Sequence, residues 1–138
     1  MAKAQYIKVH VPGEWLWAVK KSKNTALLDN TPITRGYNYK DLVEFDPSTF
    51  EVVKVIESQY RQASVRYTVP LNAEEAAIVE VYARVCKALE SEGIMCEGAG
   101  IGLIIAAVPM KMTDARAKKL AKAAGAIIVF PDKQAANG

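Results

Sequence analysis

The stretch IMCEGAGIGLIIAAVP, residues 94–109, decides how the chain must fold. Ile94 to Glu97 and the apolar run Leu103 to Val108 read as two strands, separated by Gly98-Ala99-Gly100-Ile101-Gly102. So short a connection can turn a chain but cannot hold a crossover helix, which makes the two strands antiparallel neighbours. Upstream, Ser64 to Val69 alternates as a strand, and a helix follows, with Ile78, Val81, Tyr82, Val85 and Leu89 on one stripe. Asn72 and Glu75 fit a capping box, Leu71 and Ala76 fit a hydrophobic staple, and Gly93 stands at the C-terminal cap. Downstream, Thr113 caps a second helix that runs to Gly125 with Ala117, Leu120, Ala121 and Ala124 inward. Ala126 to Phe130 is the last strand, ended by Pro131. The order over residues 59–132 is β-α-β-β-α-β, which predicts a ferredoxin-like half with both helices on one face of the sheet.

Residues 1–58 read differently, because apolar residues recur there with period two and turn residues interrupt them every few positions. Strands are expected at Tyr6 to Val11, Trp15 to Val19, Thr25 to Leu28, Leu42 to Phe45 and Phe50 to Glu57. Several short strands with such turns predict a small β-barrel-like unit. The strands Leu103 to Val108 and Ala126 to Phe130 are apolar on both faces, so the side away from the helices needs a cover. The N-terminal unit is the expected cover and a second copy of the chain the alternative. The prediction is a single α+β domain over residues 1–138, with the β-barrel-like unit packed on the ferredoxin-like half and a loose tail at 133–138.

Composition supports an ordinary globular chain: 51% hydrophobic and 24% charged, with 8 Gly and 6 Pro in 138 residues. A net charge of +3 is too small to imply nucleic acid by itself. The N-terminus lacks a signal-like apolar run and no stretch approaches the ~20 apolar residues of a span, so no membrane is expected and the location is read as cytoplasmic.

Catalytic chemistry finds little to build on. The glycines of 98–102 run into a strand and not into a helix N-terminus, so they read as a twisted hairpin turn and not as a phosphate cradle. His10 has no nucleophile or orienting carboxylate at a suggestive spacing. Cys86 and Cys96 read as reduced, buried thiols that are not clustered, and Asp29, Asp41, Glu44 and Asp46 lack calcium-loop spacing. No catalytic residue, metal or cofactor is assigned, and the reading leans away from an enzyme.

Binding is better represented. Trp15 and Trp17 share one strand face and read as core. Arg35, Tyr37, Tyr39 and Lys40 lie in a turn-rich loop, where burial is harder, and Tyr60 and Arg61 join them as the expected partner-binding surface. Arg116, Lys118, Lys119 and Lys122 on the second helix, with Lys111 just before it, could contact an anion, although alanine and lysine are also simply good exposed helix formers. Base stacking on the sheet is disfavoured because Leu103 to Val108 carries no aromatic residue.

The pattern resembles a bacterial domain-of-unknown-function family, number 4265 in that series. The resemblance is carried by Leu16-Trp17-Ala18, Leu28-Asp29-Asn30-Thr31-Pro32, Gly36-Tyr37 and Asp41-Leu42-Val43. It continues through Ser64-Val65-Arg66, Leu89 to Gly93, Glu97 and Ala107-Val108-Pro109. Where that family has Ser-Gly ahead of the Val-Arg strand, this chain has Arg61-Gln62-Ala63-Ser64. The resemblance implies a shared two-part architecture and transfers no activity.

The function expected from the residues is therefore a non-enzymatic macromolecule-binding protein of the inhibitor, immunity or adaptor type, bacterial or phage in origin, with another protein as partner. One rival is a homo-oligomer that binds or sequesters a small molecule such as a nucleotide. The other is a nucleic-acid accessory protein using the basic helix face.

Overall fold

The computed structural model describes residues 3–131, and the expected loose tail at 133–138 lies outside them. The described residues are α+β, with two helices and two antiparallel sheets. It divides into two compact units between Arg61 and Gln62, slightly beyond the boundary expected at 58. Among the described residues no helix is long and apolar enough to cross a membrane.

The N-terminal unit is a five-stranded meander, β1 (Tyr6–Val11), β2 (Glu14–Lys20), β3 (Thr25–Leu28), β4 (Leu42–Phe45) and β5 (Val52–Glu57), hydrogen-bonded in that order. Alternation sends Val9, Val11, Leu16, Ala18, Ala26, Leu28, Val43 and Phe45 to one side, where they form the unit's core. The sheet curls until the His10 amide donates to the Phe50 carbonyl at 2.8 Å, and a single bridge joins His10 to Glu51. Among the described residues no ladder joins β1 to β5, so the expected barrel-like unit is an open curled sheet not closed into a barrel.

The C-terminal unit contains β6 (Tyr60–Tyr67, beginning just before the boundary), α1 (Glu75–Glu90), β7 (Met95–Gly100), β8 (Leu103–Pro109), α2 (Asp114–Ala123) and β9 (Ala126–Val129). Its strands lie in the order β7-β8-β6-β9. Val85 and Leu89 of α1 and Ala117 and Ala121 of α2 share one core with Val65, Ile104, Ala106, Val108 and Ile128, so both helices cover the same sheet face. On the other face the expectation of burial fails at one edge. Ile105 and Ala107 of β8 are buried, but Ile127 and Val129 of the outermost strand β9 are 69% and 50% exposed. A run apolar on both sides does not reveal whether its strand is flanked on one edge or two, and that decides how much of it is covered.

The start of α1 also differs from expectation. Pro70 opens a turn closed by the Ala73 amide at 3.1 Å, Asn72 sits there at φ 62°, and the helix begins after Glu74 without a side-chain cap. Asparagine tolerates the left-handed region, so the residue expected to cap the helix makes the preceding turn instead, and Leu71 staples nothing. Thr113 caps α2 as expected, accepting from the Arg116 amide at 3.2 Å. In the β7–β8 turn, Gly102 has φ 77°, and a Cβ there would lie 2.9 Å from the Tyr67 carbonyl oxygen. Gly102→Ala should therefore cost about 1–3 kcal/mol, read as a lower urea midpoint, because backbone strain and a backbone clash act together.

Candidate functional site

The outer face of β1 and β2 is set by the curl. The inner side of the curled sheet is filled by Val, Leu, Ala and Phe side chains. Trp15 and Trp17, expected in the core, therefore stand outside at 54% and 47% exposure, while Leu16 and Ala18 between them go inside. The register places His10 opposite Trp15, Lys8 opposite Trp17 and Tyr6 opposite Val19. The first two pairs touch: the His10 and Trp15 rings are 4.7 Å apart and the Lys8 ammonium lies 4.9 Å from the Trp17 ring centre. His10 Nδ1 is 2.7 Å from Glu51 Oε1, the orienting carboxylate that no sequence spacing nominated. Behind the face, the Trp17 amide donates to Asn30 Oδ1 at 2.6 Å and its carbonyl accepts from the Asp29 amide at 2.8 Å, which holds the strand and the following loop together.

The loop residues nominated by sequence are brought together only in part. The Tyr39 and Tyr60 rings meet at a tilt of 59° with centres 5.3 Å apart, and Lys40 lies 5.2 Å from the Tyr39 ring and 3.3 Å from Asp29 Oδ1. Burial works against the Lys40 charge, but Tyr39 and Asp29 outweigh it and hold the ammonium pKa above its usual value. Tyr37 instead packs on the N-terminal core, Arg35 is exposed in the turn, and Arg61 is half-buried in β6. Asp29 links the two groups, bonded through its backbone to Trp17 and through its carboxylate to Lys40. Next to them, Asp41 is fully buried; its Oδ2 accepts from the Asn38 amide at 2.8 Å, and Oδ1 has no partner. Burial raises its pKa to about 6 against the opposing hydrogen bonds from Ser58 and Asn38.

Arg116, Lys118, Lys119 and Lys122 on α2 and Lys111 ahead of it are all exposed, and Arg116 pairs with Glu92 at 3.3 Å. The thiols, by contrast, depart from the sequence reading. Cys86, Glu90 and Cys96 place one ligand atom each within 4.8 Å of one another, so the cysteines are clustered after all. Burial raises the pKa of both thiols, with Cys86 and Glu90 adding to the effect at Cys96. Burial likewise pushes the Tyr82 phenol up to about 12, reinforced by its hydrogen bond with Cys86. The signal in the sequence was the helical spacing of Cys86 and Glu90, with Cys96 on the strand that returns after Gly93.

No protein-family model matches the chain, and no curated protein matches it. A solved structure, the crystal structure of a hypothetical protein from Neisseria gonorrhoeae, is similar with a TM-score of 0.52 at 10% identity, over 93% of this chain and 94% of that one. At that identity the likeness concerns the fold alone.

Proposed function

We propose that this chain is a non-enzymatic binding protein of the inhibitor, immunity or adaptor type that docks on another protein through the outer face of β1 and β2. The observation that carries the reading is the pair of exposed indoles, Trp15 and Trp17, fixed by cross-strand contacts with His10 and Lys8. Tryptophan is the residue type most enriched at interaction hot spots, and two held rigidly on a strand lose little freedom on binding. Lys40, Tyr39 and Tyr60 extend the contact through Asp29. A protein partner is favoured over a polyanion because the bases of this surface are interleaved with acids, His10 with Glu51 and Lys40 with Asp29. Within this reading the C-terminal unit is a ferredoxin-like scaffold, the resemblance to the family of unknown function reflects a shared architecture, and the protein works in the bacterial cytoplasm.

Affinity capture from a bacterial lysate, followed by calorimetry with the identified partner, tests it. Trp17→Ala should weaken that complex by about 30-fold or more, the scale of a hot-spot truncation, and the double variant with Trp15→Ala should abolish capture. Unchanged affinity in both variants would remove this surface from consideration. Steeply salt-dependent binding of single-stranded oligonucleotides, lost in the same variants, would replace the protein partner by a nucleic acid.

A further inference from the structure

We propose that Cys86, Glu90 and Cys96 form a binding site for a thiophilic divalent cation of the zinc type. All three ligand atoms lie within 4.8 Å of one another. A tetrahedral zinc centre with bonds of about 2.3 Å to sulfur and about 2.1 Å to oxygen holds its ligand atoms about 3.6–3.8 Å apart, so small side-chain rotations suffice to close on one ion. Two sulfurs and one oxygen select a borderline-soft metal over calcium or magnesium, which take oxygen ligands.

The backbone holds these groups on regular elements. Cys86 and Glu90 are one turn apart on α1, the helix ends where Gly93 takes φ 91°, and Cys96 is the second residue of β7. The Ile94 amide closes that corner by donating to the Leu89 carbonyl at 3.1 Å. An outer layer is also present. The Tyr82 hydroxyl hydrogen-bonds Cys86 and is itself bonded by the Gly98 backbone. A Cβ at Gly98 would come within 3.1–3.3 Å of the Tyr82 ring and hydroxyl, so the glycine makes room for the group that orients the thiol. Three protein ligands leave a fourth position, and Cys86 and Glu90 line an open surface depression with Ala83, Lys87 and Ser91 through which water or an external ligand can reach it. On binding, each thiol releases its proton to solvent, and two thiolates with one carboxylate around a divalent ion leave the loaded site with a net charge of −1.

The test is titration of the reduced full-length chain with Co²⁺ alone, followed by Zn²⁺. A thiolate-to-cobalt charge-transfer band that saturates at about one equivalent and is bleached by zinc is the expected result. Cys96→Ser should abolish the band. Glu90→Gln, at an exposed position where folding is not at risk, should weaken cobalt binding by about 10-fold or more, and Tyr82→Phe by about 10-fold. Absence of the band while a thiol assay finds both cysteines reduced would overturn the site. So would a Glu90→Gln variant that binds cobalt as tightly as the parent.

Discussion

Replacing Asp41 by Asn should stabilise the protein by about 3 kcal/mol above pH 7 and have little effect near pH 4. The carboxyl is fully buried, and burial raises its pKa from an ordinary 3.8 to about 6. The folded state therefore holds the proton more tightly than the unfolded chain does. That contribution is complete below about pH 4 and is lost as pH rises through about 6, when the native protein must either ionise an enclosed carboxyl or unfold. A gap of this size corresponds to about 3 kcal/mol, at about 1.4 kcal/mol for each tenfold change in proton affinity. Asparagine keeps an acceptor for the Asn38 amide and cannot ionise. Urea denaturation of parent and variant from about pH 4 to about pH 8 should give stabilities that separate only in the upper half of that range. A variant less stable than the parent at every pH would mean that the charged carboxylate contributes an attraction exceeding its desolvation.

Leu89→Ala should cost about 2–5 kcal/mol, the range for a fully enclosed leucine whose removal leaves a cavity. Leu89 has no exposed surface and lies in the last turn of α1, within the core that both helices share with the sheet. Both helices belong to this unit, so helical circular dichroism during urea denaturation reports its unfolding directly. Leu89→Met should cost less than about 1.5 kcal/mol because volume is kept. Leu71→Ala supplies the contrast: with its side chain 95% exposed, it should shift stability by no more than about 0.5 kcal/mol, although the residue deleted is the same. If the Leu71 and Leu89 variants lost equal stability, the burial assigned to the two positions would be mistaken.

These two leucines also mark where sequence reasoning stops. Leu89 was legible because it recurs with Val81, Tyr82 and Val85 on one helical stripe, and a stripe must face a core. Leu71 was misread because Asn72 and Glu75 have the spacing of a capping box, while the turn that competes for Asn72 depends on local backbone geometry after Pro70. Trp15 and Trp17 show the same limit. Alternation assigns them correctly to one face but cannot say which face is inside. The candidate surface was therefore half visible: Tyr39, Lys40 and Tyr60 by residue type in a turn-rich loop, the indoles only once the curl had turned them outward.

Periodicity and turn chemistry act over a few residues, so the chain by itself determined the strand and helix order, the antiparallel hairpin at residues 94–109 and the Thr113 cap. Which side of β2 is interior, how far β9 is covered and which side chains meet across the chain were decided by tertiary structure alone. His10 reaches Glu51 and Cys86 reaches Cys96 because strands pair and a helix lies on a sheet. Such contacts depend on where elements come to rest in space, and residue spacing along the sequence does not encode that position.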